Sequence, residues 1–322
     1  MKNTIIVALP LEDRHKEAFR EILREEDAEL IFTTADEVTE AELREATVVI
    51  GNLKPTDLKK APKVKWVQLN SAGTDGYLEE GVLPKGTVVT NATGAYGLAI
   101  SEYMLGITLS IMKKFPLYHD QQKQALWQSQ GKVTSVYGST VLVVGMGDIG
   151  SEYALRMKTL GSYVIGIRRT PGEKPDFADE VYTLDRLEEC LSRADVVAAS
   201  LPGTAQTYHL FDEKRFEKMK DGAIFINVGR GGAVESKALA KALKTGKLMG
   251  AGIDVAETEP LPPDSELWEI PNLLITPHVS GGYHLPETLE RIIRISLDNL
   301  EAYLHGKTMK SVVDFATGYR AR

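Results

Sequence analysis

Short apolar runs alternate with longer mixed stretches along most of the chain. The early runs are TIIVA (4–8), LIFT (30–33), TVVI (47–50), WVQL (66–69) and TVVT (87–90). The later ones are TVLVVG (140–145), YVIGI (163–167), VVAAS (196–200), AIFINV (223–228), GAGIDV (250–255) and LLIT (273–276). Many are apolar at successive positions rather than at every second one. That is the pattern of a parallel strand covered by helices on both faces. Strand alternating with helix predicts an α/β protein built from doubly wound parallel sheets. No internal repeat, low-complexity tract or long linker interrupts the alternation.

Two helical stretches suggest how the chain is divided. GAYGLAISEYMLGITLSIMKKF (94–115) follows a Gly-containing loop and marks a break between domains. After Pro286, the residues Leu289, Ile293, Leu297, Leu300 and Leu304 recur at helical spacing, predicting one buried face. This last helix follows the final strand of the second sheet, so the chain is expected to return to the first domain. The expected division is 1–100 with 288–322 for one domain and 101–287 for the other.

Composition narrows the function classes. The 322 residues suffice for about two domains. Lys plus Arg is 38 against 45 for Asp plus Glu, a net charge of -7, which argues against a dedicated nucleic-acid binder. A lone cysteine, Cys190, excludes an intramolecular disulfide and any cysteine-based zinc cluster; it reads as a small buried thiol. TIIVALPL is followed at once by Glu12, Asp13 and Arg14 and reads as a first strand, not a leader. No stretch approaches the roughly 20 apolar residues of a membrane span. The expected location is cytoplasmic.

VLVVGMGDIG places Gly145, Gly147 and Gly150 in G-x-G-x-x-G spacing directly after an apolar strand. SEYALRMKTLGSYV then reads as a helix running into YVIGI, which completes a βαβ unit. The glycines serve three different ends: a tight turn, close approach of backbone to a pyrophosphate, and close packing of helix on strand. The helix N-terminus turns unpaired N–H groups and its positive end toward the phosphates. Asp148 and Ile149 lie in the same loop. No G-x-x-x-x-G-K-[ST] string exists, so a P-loop is excluded. Sites selecting NAD usually carry an acid at the end of the second strand, on the ribose 2′-hydroxyl. Here YVIGI runs into Arg168, Arg169 and Thr170, with Glu173 further along. Two guanidiniums and a hydroxyl suit a 2′-phosphate, so NADP is the expected cofactor, with NAD possible.

Three residues in loops after later strands could carry acid–base chemistry. Arg230 follows AIFINV within NVGRGG, where the glycines are expected to leave the guanidinium room. Glu259 lies in DVAETEP, and His278 in TPHVSGG after LLIT. Ligands of open α/β sheets bind beyond the carboxyl ends of the strands, so these three and Asp254 are expected to share one crevice. His15, His119, His209, His284 and His305 have no comparable setting in the sequence.

The chain closely resembles the D-isomer-specific 2-hydroxyacid dehydrogenase family. The matching segments are NSAGTDGY (70–77), GMGDIG (145–150), residues 200–234 from SLPGTAQTYHLF to NVGRGGAV, and residues 250–281 from GAGIDVAETEP to TPHVSG. The resemblance implies a Rossmann-type cofactor domain and a flavodoxin-like substrate domain. It makes Arg230, Glu259 and His278 the catalytic residues. It gives Ser71, Ala72 and Gly73 to the substrate carboxylate through backbone N–H groups. Leu201, Pro202 and Val228 would line the cofactor pocket, and Asp254 would meet the nicotinamide carboxamide. No metal is implied.

The implied reaction is hydride transfer between NADPH (or NADH) and a small 2-oxo acid, with His278 donating the proton. Glyoxylate, hydroxypyruvate or a short branched 2-oxo acid is expected. In the stretch VVIGNLKP (48–55) only Lys54 is basic, which makes a phosphorylated acid, as in phosphoglycerate dehydrogenases, the less favoured substrate. YHDQQKQALWQSQ (118–130) resembles the segment that reaches the partner subunit in glyoxylate and hydroxypyruvate reductase-like members, and implies a homodimer, with Trp127 either near the active site or simply packed. Some family members are cofactor-sensing corepressors, but the Arg230, Glu259 and His278 set weighs against that class.

Overall fold

The computed structural model describes residues 2–316 and 318. It divides into two compact units, residues 1–96 with 285–322 and residues 97–284. The division falls a few residues before the expected 100 and 287, because a long helix opens the second unit at Gly97.

The first unit carries β1 (Asn3–Val7), α1 (Asp13–Ile22), β2 (Ala28–Phe32), α2 (Glu40–Glu45), β3 (Val48–Ile50), α3 (Pro55–Leu58), β4 (Trp66–Gln68) and β5 (Val88–Thr90). Its strands are all parallel in the order β2-β1-β3-β4-β5, the flavodoxin-like winding. β3 and β4 are buried along their length and β1 from Thr4 onward, as strands covered on both faces must be.

The second unit carries α4 (Gly97–Met112), α5 (Phe115–Lys123), β6 (Thr140–Val144), α6 (Asp148–Thr159), β7 (Tyr163–Ile167), β8 (Glu180–Tyr182), α7 (Leu187–Leu191) and β9 (Val196–Ala199). It continues through α8 (Glu213–Lys218), β10 (Ala223–Asn227), α9 (Ser236–Lys244), β11 (Leu248–Ile253) and β12 (Leu273–Ile275). All seven strands are parallel in the order β12-β11-β10-β9-β6-β7-β8. The order reverses at β6, the strand that feeds the glycine loop, as in the Rossmann winding with one added edge strand. The chain is therefore a pair of doubly wound parallel-sheet units.

α10 (Pro286–Leu304) returns to the first unit. Its buried face keeps Ile293 and Leu300 of the predicted stripe and adds polar positions that the spacing did not point to. Ile292, Ile293, Ser296, Asn299 and Leu300 are buried, while Leu289, Leu297 and Leu304 are only partly covered. Asn299 is buried with partners of its own: its Nδ2 donates to Gln68 Oε1 at 2.8 Å and to the Lys310 carbonyl at 3.0 Å. A polar side chain can occupy a core seam once its hydrogen bonds are met there.

β8 has no counterpart among the apolar runs. It is three residues long and half-buried, and its Glu180 pairs with Arg193 rather than with the core. Cys190 is fully buried on α7, and burial pushes its thiol up. Among the described residues no helix is long and apolar enough to cross a membrane, and no cluster of His, Cys, Asp and Glu has the makings of a metal site.

Two glycines of GAGIDV set how closely α4 lies on β11. A Cβ on Gly252 would stand 2.2 Å from Ile107 Cγ2, and one on Gly250 would stand 2.7 Å from Ile111 Cγ2. On its other side α4 is tied to α6 by a buried 2.7 Å hydrogen bond between the Thr108 and Tyr153 hydroxyls.

Candidate active site

The glycine loop joins β6 to α6, and its three glycines differ in what surrounds them. Gly145 has φ 105°, and a Cβ there would sit 2.7 Å from the Ser200 carbonyl oxygen. A Cβ on Gly150 would lie 1.9 Å from the Gly145 carbonyl oxygen, so this position needs glycine for helix-on-strand packing. Around Gly147, the N-cap of α6, a Cβ would meet nothing within 4 Å, and its φ of -85° suits any residue. The fold itself makes no demand for glycine there. An anion approaching the backbone at the start of a twelve-residue helix does, and the loop fits a dinucleotide pyrophosphate. Asp148 points elsewhere: its Oδ2 accepts from the Gly97 N–H at 2.9 Å.

At the end of β7 the Arg168 guanidinium closes its own loop. Nη1 donates to the Glu173 carbonyl oxygen at 2.9 Å, and Nη2 to that of Gly172. Glu173 thus meets Arg168 through its backbone. Arg169 is exposed, and Arg168 and Thr170 are half-buried.

The loops after β9, β10 and β11 are packed backbone against backbone. A Cβ on Gly229 would stand 2.4 Å from both N and O of Leu201, and one on Gly231 would stand 1.7 Å from the Ala256 carbonyl oxygen. The glycines flanking Arg230 are therefore there for the neighbouring loops, not to leave space for the guanidinium as expected. Their effect is to bring the Leu201–Pro202, Arg230 and Glu259 loops to one end of the sheet. Arg230 is half-buried and its Nη1 donates to the Gly229 carbonyl oxygen at 2.9 Å; Val228 before it is buried.

Glu259 and His278 meet directly. His278 Nδ1 is 2.9 Å from Glu259 Oε2, while Glu259 Oε1 accepts from the Ala256 N–H at 2.9 Å. A carboxylate only accepts, so Nδ1 carries the proton and Nε2 is the ring nitrogen left to exchange one. His278 is half-exposed and holds a left-handed backbone, φ 55°.

Asp254, only 1% exposed, holds that loop in place. Its Oδ1 accepts from the Thr276 hydroxyl at 2.5 Å and the Val279 N–H at 2.9 Å. Its Oδ2 accepts from the N–H and hydroxyl of Ser280 at 3.0 and 2.5 Å. Its carbonyl takes the His278 N–H at 2.7 Å. Tyr103 on α4 reaches the same cluster, 2.5 Å from Thr276 Oγ1. Nothing in the sequence near Tyr103 signals this. The sequence does carry two hydroxyls, Thr276 and Ser280, flanking Pro-His-Val, a signal the reading of the motifs passed over.

A second His–Glu pair lies in the same unit, although His209 had no special setting in the sequence. Its Nε2 is 2.6 Å from Glu257 Oε1, and Glu257 Oε2 accepts from the Ser236 N–H at 3.0 Å. Burial opposes ionisation of Glu257, yet these two bonds hold its carboxyl below the usual range.

In the first unit the loop 71–73 is pinned by its carbonyl oxygens. Those of Ser71, Ala72 and Gly73 accept from the Ala92 N–H at 2.9 Å, the Asn91 side chain at 2.8 Å and the Ser71 hydroxyl at 2.7 Å. Lys54 Nζ is 2.8 Å from Asp36 Oδ1.

A Rossmann-wound sheet with a glycine loop at its switch point defines a dinucleotide-binding α/β protein. The sequence profile of "D-isomer specific 2-hydroxyacid dehydrogenase, NAD binding domain" matches residues 105–280. The chain belongs to the D-isomer specific 2-hydroxyacid dehydrogenase family, whose members are NAD(P)-dependent oxidoreductases. A glyoxylate reductase of Korarchaeum cryptofilum is 32% identical over 79% of this chain and 77% of its own. A D-3-phosphoglycerate dehydrogenase of Methanocaldococcus jannaschii is 29% identical over 96% of this chain, which spans 59% of that longer protein. The crystal structure of an NADPH-dependent glyoxylate/hydroxypyruvate reductase from Sinorhizobium meliloti, in complex with NADP and sulfate, superposes with a TM-score of 0.82. It is 26% identical, and the match covers 98% of this chain and 100% of that one.

Proposed function

We propose that this protein reduces a small unphosphorylated 2-oxo acid to the D-2-hydroxy acid with NADPH. The observation that carries the reading is the His278–Glu259 pair, standing with Arg230 at the carboxyl ends of adjacent strands in a dinucleotide-binding sheet. The bound dinucleotide supplies hydride to C2 of the acid. His278 gives the Nε2 proton to the oxygen that becomes the hydroxyl, and Glu259 keeps the ring oriented through Nδ1. Arg230 binds the carboxylate and carbonyl oxygens and stabilises charge as it develops on the latter. The N–H groups of Ser71, Ala72 and Gly73 receive the carboxylate.

Gly145, Gly147, Asp148, Ile149 and Gly150 form the pyrophosphate loop, with Asp148 acting through backbone because its side chain is engaged. Leu201, Pro202 and Val228 line the pocket, and Asp254 orients the catalytic loop and meets the carboxamide edge. Arg168, Arg169 and Thr170 favour a 2′-phosphate, a preference supported by the absence of any acid in that stretch before Glu173.

The Asp36 carboxylate beside Lys54 favours acids without a phosphate, since it neutralises the one base in residues 48–55. A homodimer is supported by the stretch after Lys123, which has no regular structure up to Thr140. Along it Leu126, Val133 and Tyr137 are exposed and Trp127 is 104% exposed, in the way of side chains meant for a second copy. Light scattering tests the dimer.

The deciding experiment follows NADPH and NADH oxidation with glyoxylate, hydroxypyruvate, a branched 2-oxo acid and 3-phosphohydroxypyruvate. Turnover of an unphosphorylated acid with NADPH is expected. Preference for the phosphorylated acid gives the phosphoglycerate reading. No turnover with any acid turns the assignment toward a cofactor-sensing binding protein.

A further inference from the structure

The catalytic loop is held from a second direction, by a residue outside every motif of the sequence. Thr276 Oγ1 stands between two oxygens, Asp254 Oδ1 at 2.5 Å and Tyr103 Oη at 2.5 Å. Asp254 as a carboxylate accepts only, so the single Thr276 hydroxyl proton goes to it. The Tyr103 proton must then go to Thr276. The chain of donors runs one way, from Tyr103 through Thr276 to Asp254. Asp254 fixes Val279 and Ser280 through its side chain and His278 through its carbonyl. His278 sits between these anchors in a left-handed conformation that a non-glycine residue keeps only when its surroundings hold it.

Burial pushes the Tyr103 phenol up to about 12, against the opposing effect of its bond to Thr276. The phenol therefore remains a donor across the neutral range. Its helix does not give way either. α4 lies on β11 at Gly250 and Gly252, where only glycine fits. At its first residue, Gly97, it donates to Asp148 of the glycine loop at 2.9 Å, and a Cβ there would stand 2.6 Å from Asp148 Oδ1. One helix is thus bonded at its start to the loop that takes the pyrophosphate, and further along to the loop that carries His278.

We propose that Tyr103 is a positioning residue for His278, and that α4 links the glycine loop to the catalytic loop through Asp148 at its first residue and Tyr103–Thr276–Asp254 further along. The proposal rests on the dehydrogenase reading for its kinetic consequence, but not for its structural one. Tyr103 touches neither substrate nor cofactor in this scheme; it acts through Thr276 and Asp254.

The test compares wild type, Tyr103→Phe, Thr276→Val and the double variant, each with isotope-labelled histidine. The His278 ring resonances are expected to move or broaden in Tyr103→Phe, while those of His209, held by Glu257 elsewhere, stay in place. This readout needs no turnover. In kinetics, Tyr103→Phe is expected to lower kcat about tenfold, with KM for the acid and the dissociation constant for NADPH within about twofold, as loss of one orienting hydrogen bond predicts. The double variant should be no slower than Thr276→Val alone, because the two hydroxyls act in series. Unmoved His278 resonances, or losses that multiply in the double variant, would overturn the proposal. If Tyr103→Phe does not fold, Thr276→Val carries the same comparison of ring resonances. A wild type inert toward every 2-oxo acid defeats the dehydrogenase reading alone, and the ring resonances still decide the role of Tyr103.

Discussion

His278 Nδ1 lies 2.9 Å from Glu259 Oε2, between two residues that reach each other from the ends of adjacent strands, β12 and β11. The contact fixes the tautomer and aims Nε2 away from Glu259. An imidazole held this way can donate a proton from Nε2 when charged and accept one there when neutral, which is the part the proposed reaction needs.

Removing either end of the chemistry should stop turnover without unseating the cofactor. His278→Ala and Arg230→Ala are each expected to lower kcat at least about a hundredfold, the loss of roughly 3–4 kcal/mol that an oriented transition-state donor supplies. NADPH affinity, followed by fluorescence titration, should change little. Either variant retaining kcat would refute its assigned role.

The glycines of the nucleotide loop should separate folding from binding. Gly147→Ala meets no atom within 4 Å, so its thermal midpoint should match wild type while the Michaelis constant for NADPH rises. Gly150→Ala would press a Cβ to 1.9 Å from the Gly145 carbonyl oxygen and should lose stability itself. Equal midpoints for the two variants would contradict this separation of packing from binding.

Cofactor choice should depend on the loop after β7. The Arg168→Ala/Arg169→Ala double variant is expected to weaken NADPH while leaving NADH nearly unaffected, because only the former carries the 2′-phosphate that guanidiniums bind. Parallel loss with both cofactors would make Arg168 a brace for its own loop, through the Gly172 and Glu173 carbonyls, and nothing more.

Asp254→Asn should cost both stability and rate. The carboxylate accepts four hydrogen bonds from Thr276, Val279 and Ser280. An amide replaces one accepting oxygen by a donor, leaving buried N–H or O–H groups unpaired at about 1–3 kcal/mol each. Denaturant unfolding reads the first loss and kcat the second; an Asp254→Asn protein as stable as wild type would remove Asp254 as the anchor.

Acid stability should depend on Glu180. Hydrogen bonding to Arg193, aided by Tyr163 and Tyr182 and opposed by burial, holds its carboxyl at about 2. A carboxyl lowered by folding adds stability above its unfolded value of about 4.3, and that stability is lost as pH falls toward 2. Glu180→Gln should therefore lower the urea midpoint at pH 7 (neutral) and have little further effect near about pH 2. An equal loss at both would place the contribution in packing rather than charge.

The sequence alone determined the alternation of strand and helix, the glycine spacing after β6, and the placing of the three candidate side chains, Arg230, Glu259 and His278, in loops after strands. Each is legible for the same reason. Apolar runs report burial on both faces, and a glycine or reactive residue just past such a run must lie at the carboxyl end of a strand. The edge strand β8 escaped because a three-residue, half-buried segment has no apolar run. The buried face of α10 was legible only in part, because Asn299 looks polar until Gln68 and the Lys310 carbonyl stand beside it, and Ser296 until its hydroxyl turns to the Ile292 carbonyl of its own helix.

Only the tertiary structure decided which polar groups meet across loops. It paired His209 with Glu257, turned Asp148 to Gly97 and filled Asp254 with bonds from the His278 loop. It also changed the reason for the glycines around Arg230, which serve the backbones of Leu201 and Ala256. Periodicity encodes how deeply a residue is buried, whereas a hydrogen bond depends on where residues distant in sequence come to rest, and that is settled only when the sheet order brings the strand ends together.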